Sequence, residues 1–126
     1  MPVSGLGPYD EGNVFARILR GEIPSRRVYE DEWAVAFHDI AAQAPVHVLV
    51  IPRTGWRSLA DFSVGATVEE VAGFWRAVAV EARDLGLEGR GYRVVTNVGE
   101  DAGQEVPHFH VHVFGGRAFG PMVGRG

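Results

Sequence analysis

The sequence predicts an α+β fold with a five-stranded antiparallel sheet, one long helix and one short helix. Histidine alternates with phenylalanine or valine from His108 to Val113, which is the two-residue period of a strand. Apolar residues recur at helical spacing between Thr67 and Leu85, and the pattern Thr67-x-x-Glu70 commonly begins a helix. Short runs rich in β-branched residues, separated by turn residues, favour further strands joined mostly by hairpins.

The chain reads as a loose N-terminal arm followed by one domain. The N-terminal arm, residues 1–12, is rich in glycine and proline, and the single domain is expected at 13–126. Asn13 is suited to cap a short helix over 14–20. Strands are expected at 27–30, 34–39, 46–51, 92–96 and 107–114. The stretch 55–65 between the third strand and the long helix is predicted to be irregular.

The composition excludes several classes of enzyme. The 126-residue chain has no cysteine and no lysine, which rules out disulfides, thiol catalysis, Schiff-base chemistry and the lysine of a P-loop. None of its serines lies in the Gly-x-Ser-x-Gly pattern of serine hydrolases. A net charge of −4 without a basic stripe argues against nucleic-acid binding. Since neither a signal-peptide pattern nor an apolar run of roughly 18 residues occurs, we expect a cytoplasmic protein without membrane attachment.

Three histidines on one face of the last predicted strand form the candidate site. His108, His110 and His112 would share that face, while Phe109 and the neighbouring valines pack into the core. The face has three interpretations: solvated surface histidines, ligands for zinc or copper, or imidazoles that act together on a substrate. We favour the third, because three of the five histidines lie so close in sequence. A neutral imidazole on a rigid strand can attack phosphorus, which makes histidine the candidate nucleophile.

The histidine run belongs to a longer set of matching motifs. The set comprises His108-Phe109-His110-Val111-His112-Val113, Gly21-Glu22-Ile23-Pro24, Ala36-Phe37-His38-Asp39-Ile40, Gln43-Ala44-Pro45, Val50-Ile51-Pro52-Arg53, Gly103-Gln104 and Gly115-Gly116-Arg117. In these motifs the chain resembles the histidine-triad (HIT) family, and specifically bacterial members of its Hint branch. The resemblance implies a HIT-like version of the predicted fold, no cofactor, no resident metal, and a homodimer in which two sheets are joined.

The resemblance also implies roles for the histidines. His110 would be the nucleophile and would form a nucleotidyl-histidine intermediate. The backbone carbonyl of His108 would hold the other ring nitrogen of His110, and His112 would donate to a nonbridging phosphate oxygen. His47 would join His108 in extending the imidazole network, with a satisfied core histidine as the alternative for His47.

The other parts of a purine nucleotide need their own partners. Asp39 is suited to accept hydrogen bonds from both ribose hydroxyls, or else it caps a turn. A slot for the purine, or ordinary core packing, is the interpretation for Phe15, Ile18, Ile23, Phe37 and Ile40. Phosphate contacts, or a solvated surface turn, are the interpretations for Asn97, Gly103, Gln104 and Glu105. Because a carboxylate repels phosphate, Glu105 is expected to contribute its backbone amide. His38 is counted with the site, although a structural or backbone role is favoured for it.

Together with these residues, the resemblance implies a hydrolase that cleaves the P–N bond of purine nucleoside phosphoramidates, or the P–O bond of acyl-adenylates, and releases AMP or GMP. A diadenosine-polyphosphate hydrolase of the same family is the first competing interpretation, and the absence of a basic cluster disfavours it. A nucleotide-binding scaffold with little catalysis and a metal-binding protein are two more. The homodimer is also expected because Phe74 and Trp75 point about 100° apart on a helix, so that only one of them would face the sheet.

Overall fold

The computed structural model describes residues 1–124, so the last two residues of the predicted domain lie outside the described part of the chain. The helices are α1 (Val14–Leu19), α2 (Leu59–Gly65) and α3 (Val68–Asp84). The strands are β1 (Arg27–Glu30), β2 (Ala34–His38), β3 (Val46–Pro52), β4 (Arg93–Val95) and β5 (Val111–Gly115). Within this part of the chain, no helix is both long enough and apolar enough to cross a bilayer.

The five strands form one antiparallel sheet in the order β1-β2-β3-β5-β4. This confirms the predicted fold class. The central strand β3 is buried from His47 to Pro52, as expected for a continuous run of β-branched residues that is covered on both faces. The short strand β4 forms one edge of the sheet, beside β5.

The two faces of the sheet carry separate apolar clusters. On one face, α3 packs Phe74, Val78 and Ala82 against residues of β2, β3 and β5. On the other face, Phe15 and Ile18 of α1 pack against a second group: Val35, Phe37, Leu49 and Ile51. The larger cluster holds α3 on the sheet, and the smaller cluster holds the much shorter α1.

The prediction for the aromatic pair of α3 is wrong in part. Only one of the two was expected to face the sheet, but Phe74 is completely buried and Trp75 also packs against the core cluster while keeping part of its surface accessible. The Trp75 ring centroid lies 5.4 Å from that of Phe74 and 6.3 Å from that of Phe109. Both aromatics therefore contribute to the core, since a large indole can reach the sheet from the side of the helix.

Two segment assignments also need correction. The stretch predicted to be irregular contains α2, whose capping box joins Ser58 and Asp61 and whose Phe62 is buried against Phe74. The last strand begins only at Val111, because the preceding residues leave the sheet ladder and the N–H of Phe109 donates to the carbonyl of Trp56 over 2.7 Å.

The N-terminal arm has neither helix nor strand, yet it is hydrogen-bonded along its length. The N–H of Val3 donates to the carbonyl of Gln104 over 2.7 Å. The hydroxyl of Ser58 donates to the Gly5 carbonyl, and the guanidinium of Arg57 donates to the Ser4 carbonyl. The arm thus runs beside α2 and the loop before β5, while its looseness stays a prediction.

Candidate active site

Four of the five histidines gather where β3 and β5 lie side by side. His112 sits on β5 opposite Leu49, and His47 sits on β3 opposite Phe114. His108 and His110 lie just before β5 begins. The fifth, His38, ends β2, where its N–H donates to the carbonyl of Arg26 over 3.1 Å, and it lines the cavity described below, so its role stays a prediction.

The ring of His110 has a defined tautomer. Its Nδ1 lies 2.7 Å from the carbonyl oxygen of His108, and because a carbonyl only accepts, this nitrogen carries the proton. The lone pair of the neutral ring is therefore on Nε2. Burial lowers the pKa of His110 below its usual value, although the His108 carbonyl and the charge of Asp39 oppose that shift. At neutral pH the ring is uncharged and its Nε2 can act as a nucleophile.

His110 is also held from two further directions. The hydroxyl of Thr96 donates to the backbone carbonyl of His110 over 2.8 Å. The ring of Phe15 meets the His110 ring edge-on, with 5.0 Å between centroids. The orientation of the imidazole is thus fixed by the backbone on one side and by an aromatic wall on the other.

A second pair of rings forms a directed hydrogen bond. The N–H of Gln43 donates to His47 Nδ1 over 3.1 Å, so the neutral ring of His47 carries its proton on Nε2. The closest acceptor for that proton is Nδ1 of His112, at 2.9 Å. His112 then carries its own proton on Nε2 and can donate it to a ligand. Burial, followed by the neighbouring His110 and His47, lowers the pKa of His112 to about 4.

His47 is completely covered by protein, and it lies behind His112 rather than in the cavity. Burial lowers the pKa of His47, while the charge of Asp39 opposes that shift. The ring therefore combines both interpretations given for it: it is a satisfied core histidine, and it also orients a ring of the site.

His108 differs from the prediction. Its ring is fully buried, its Nε2 donates to the carbonyl of Pro52 over 3.0 Å, and its Nδ1 accepts from the hydroxyl of Tyr9 over 2.6 Å. Burial lowers its pKa to about 4. The ring thus does not extend the imidazole network with His47, because the segment before β5 turns it inward. Only the backbone carbonyl of His108 serves His110.

A cavity of about 490 Å³ opens beside His110 and His112. All five residues of the predicted purine slot line it: Phe15, Ile18, Ile23, Phe37 and Ile40. Three of them, Phe15, Ile18 and Phe37, also belong to the smaller apolar cluster, so these side chains pack in the core and line the cavity at once, while their contact with a purine stays a prediction. Ile40 is fully exposed at the entrance. Further lining residues that the sequence reasoning missed include Val14, Ser25, Leu49 and Val106.

Asp39 lies on the cavity wall, and its two oxygens have different partners. Oδ1 accepts the N–H of Ala41 over 2.8 Å, which is a turn cap, as the second interpretation of this residue expected. Oδ2 lies 3.3 Å from Nε2 of His47. The carboxylate is thereby held in one orientation beside the histidine pair.

The loop before β5 supplies another wall of the cavity. Asn97, Gly103 and Glu105 line it, as the sequence reasoning predicted. Gln104 does not, since its buried side chain accepts from the N–H of Gly99 and donates to the carbonyls of Arg57 and Val106. The structure therefore corrects its role: Gln104 holds the loop in shape from beneath and makes no contact with the cavity.

One group of side chains in the described residues could hold a metal ion. Asp39, His47 and His112 offer one carboxylate oxygen and two ring nitrogens that lie within 4.8 Å of one another. Imidazole and carboxylate suit divalent transition metals. A metal on Nε2 of His47 would have to replace the proton that this ring shares with His112.

Tyr9 and Thr96 are residues of the site that the sequence reasoning missed. Each makes one hydroxyl contact with the histidine segment, residues 108–110. Tyr9 is separated from His108 by 99 positions in sequence. The only sign of the contact between Tyr9 and His108 in the sequence is a tyrosine within a stretch rich in glycine and proline. That stretch has no periodicity that would indicate a partner for the tyrosine.

Hydrogen-bonded imidazoles beside a largely apolar cavity are typical of proteins that bind a small molecule in a preformed site. Comparison with known proteins identifies the family within that class. The HIT domain matches residues 20–119, and the chain belongs to the HIT family, which confirms the resemblance noted in the sequence.

Relatives extend over nearly the whole chain. A 13.2 kDa HIT-like protein of Azospirillum brasilense is 58% identical over 118 residues, which cover 94% of this chain and 97% of the relative. The purine nucleoside phosphoramidase of Escherichia coli K12 is 42% identical over 114 residues, covering 90% and 94% of the two chains. A solved HIT family hydrolase from Clostridium thermocellum is similar with a TM-score of 0.82 at 38% identity, covering 90% of this chain and 98% of that one.

Proposed function

We propose that the protein is a cytoplasmic hydrolase of purine nucleoside phosphoramidates or acyl-adenylates, that it works without a cofactor, and that it releases AMP or GMP. The observation that carries the proposal is the geometry of His110, a neutral ring whose Nδ1–H is bound to a carbonyl and whose Nε2 faces a cavity. The names of two relatives support it: one is a purine nucleoside phosphoramidase and the other a HIT family hydrolase.

The proposed reaction has two displacements at phosphorus. Nε2 of His110 attacks the α-phosphorus in line, the P–N bond breaks, and the leaving amine takes up a proton from solvent. The Nδ1–H bond to the His108 carbonyl supports the positive charge that the ring acquires. The Nε2–H of His112 donates to a nonbridging oxygen of the phosphoryl group. Water then attacks the phosphorus of the nucleotidyl-histidine and breaks its P–N bond, which releases the nucleoside monophosphate, returns one proton to solvent and restores the neutral ring.

The cavity favours a nucleoside monophosphate ester over a longer polyphosphate. Its volume is in the range of small-molecule sites, and its apolar end suits a purine. Within residues 1–124, none of the side chains that line it is an arginine. Glu105 lines the cavity, and Glu100 and Asp101 are exposed on the same loop, where they would repel additional phosphates. The acidic loop and the lack of a lining arginine in the described residues therefore disfavour a diadenosine-polyphosphate hydrolase.

We also propose that the protein works as a homodimer. The edge strand β4 pairs only with β5 among the described strands, and Val94 and Tyr92 are exposed there. An uncovered edge with apolar side chains is commonly paired or blocked. A two-fold axis beside β4 would join the two sheets with one self-complementary surface.

A pulse experiment tests the reaction and its nucleophile together. The purified protein is mixed briefly with adenosine phosphoramidate, quenched in base, where phosphohistidine bonds survive, and examined by peptide mass spectrometry. The expected adduct is an adenylyl group on the peptide that contains His110, and adenosine without phosphorus gives none. His110→Ala should form no adduct and lose about 10⁴-fold or more in turnover, on the order of 6 kcal/mol in barrier. A variant that keeps a tenth of the rate would show that another group is the nucleophile.

A further inference from the structure

The N-terminal arm reaches the histidine segment through Tyr9. The hydroxyl of Tyr9 lies 2.6 Å from Nδ1 of His108, and the two rings meet edge-on with 5.6 Å between their centroids. Burial raises the pKa of Tyr9, so the hydroxyl keeps its proton at neutral pH and can donate it. The atom that receives this proton, Nδ1 of His108, needs a hydrogen-bond donor, because the proton of the neutral ring is on Nε2.

The tautomer of His108 is determined by Pro52. Nε2 of His108 lies 3.0 Å from the Pro52 carbonyl, which can only accept, so the proton of the neutral ring is on Nε2. Nδ1 therefore presents a lone pair inside the protein, and Tyr9 supplies the hydrogen bond that satisfies it. A buried acceptor without a hydrogen-bond partner lowers the stability of the folded protein. The tyrosine hydroxyl avoids this cost by donating to Nδ1 of His108.

The fold makes room for this tyrosine at Gly55. A Cβ atom added at Gly55 would lie 2.7 Å from the Tyr9 ring, closer than carbon atoms can approach. The arm is held in place nearby by Arg57, whose guanidinium donates to the carbonyls of Ser4 and Pro8. The absence of a side chain at position 55 is thus what allows the ring to lie against the backbone there and reach His108.

The same arm continues directly into the wall of the cavity. The N–H and the side-chain amide of Asn13 both donate to the carbonyl of Asp10, and Asn13 caps α1. Within the first turn of that helix, Phe15 contacts the rings of both His108 and His110. Tyr9 and Phe15 therefore both contact the histidine segment, Tyr9 at His108 and Phe15 at His108 and His110.

We propose that Tyr9 is a positioning residue for the nucleophile and that the missing side chain at Gly55 leaves the space for its ring. This inference rests on the proposed function. Tyr9 fixes the ring of His108, and Pro52 fixes it from the opposite nitrogen. The peptide unit of His108 is thereby held so that its carbonyl accepts from Nδ1 of His110. Tyr9 touches neither the cavity nor the reacting atoms, so its loss should affect the chemical step more than substrate binding.

Tyr9→Phe removes one hydroxyl and keeps the ring over Gly55. With adenosine phosphoramidate as substrate, kcat should fall about tenfold while KM changes less than about twofold, as expected for one lost buried hydrogen bond. The matched control is Tyr29→Phe, whose hydroxyl donates to Asp31 away from the histidines and whose loss should leave kcat unchanged. An unchanged kcat in Tyr9→Phe would overturn the positioning role.

Gly55→Ala tests the same contact from the other side. The added methyl should displace the Tyr9 ring and lower kcat as Tyr9→Phe does, and the double variant should lose no more than either single one. Gly89→Ala is the control, since a Cβ there meets nothing within 4 Å. Additive losses in the double variant would show that the two positions act independently and would contradict the proposal.

Nitrogen NMR of the imidazole rings separates this inference from the proposed function. In the unmodified protein, Nδ1 of His108 should resonate as an unprotonated, hydrogen-bonded nitrogen, and in Tyr9→Phe that resonance should shift while those of His38 stay in place. The measurement needs no substrate. If the protein hydrolyses no phosphoramidate but the resonance shifts, the proposed function fails and the Tyr9 contact stands. If the resonance does not shift, the contact itself is refuted, whatever the activity.

Discussion

The fully buried carboxyl of Glu81 leads to a prediction that can be worked out from the structure. Glu81 lies on α3, and neither of its side-chain oxygens has a hydrogen-bond partner among the described residues. Burial, followed by the nearby charge of Asp84, raises the pKa of Glu81 from 4.5 to about 7. We expect Glu81→Gln to stabilise the protein at alkaline pH and to have little effect at acid pH.

The sign and size follow from proton linkage. Because the folded-state pKa lies above that of the unfolded chain, the stability provided by the protonated acid is present below pH 4.5 and is lost as the pH rises through about 7. The full difference of pKa values corresponds to about 3 kcal/mol at pH 8. Most of this loss falls between pH 5 and pH 8. The stability of Glu81→Gln relative to the unmodified protein should therefore rise by about 2 to 3 kcal/mol over that interval, since an amide does not ionise.

Urea unfolding at one fixed protein concentration measures this difference at both pH values. Glu69→Gln on the same helix is the control, because Glu69 is exposed and its replacement should give a difference in unfolding free energy that varies little from pH 5 to pH 8. If Glu81→Gln has the same effect on stability at pH 5 and at pH 8, the carboxyl of Glu81 is ionised in the native protein and the reasoning is wrong.

Three further predictions concern the site and the assembly. Asp39→Ala should raise KM and remove any preference for ribose over 2′-deoxyribose, and an unchanged ratio of kcat/KM for the two sugars would exclude Asp39 from binding. EDTA should leave activity intact and added zinc should not raise it; activity lost in EDTA and restored by a stoichiometric metal would favour the metal site at His47 and His112. Val94→Glu should convert the proposed dimer to a monomer in light scattering, with Val64→Glu, on the exposed end of α2, as the control.

The sequence pattern correctly predicted features that depend on neighbouring residues, such as the alternation of buried and accessible side chains in β5. The alternation from Val111 to Gly115 is found in the structure, with Val111 and Val113 buried and His112 partly accessible. The same alternation fails just before β5, where His108 should have shared a face with His112. There the chain leaves the ladder to bond with the carbonyls of Trp56 and Pro52, and no periodicity carries information about partners more than fifty residues away.

The remaining differences have separate causes. The capping pattern of α2 was present in the sequence at Ser58 and Asp61, but the flanking Gly55 and Gly65 made the stretch look irregular. The inward turn of Gln104 could not be predicted, because an amide suits a phosphate contact and a loop clamp equally well. Its three partners are all backbone groups, which any sequence would provide.

The hydrogen bond from the Gln43 amide to His47 gives the site a fixed polarity. A backbone N–H cannot become an acceptor, so the sequence of donors that runs through His47 to His112 has one direction. A ligand that contacts Nε2 of His112 would therefore need a hydrogen-bond acceptor at that point, and the neutral ring would bind it without a formal positive charge. Binding of this kind would depend little on salt, in contrast to a site built on arginine, because burial keeps the ring of His112 neutral down to its lowered pKa of about 4.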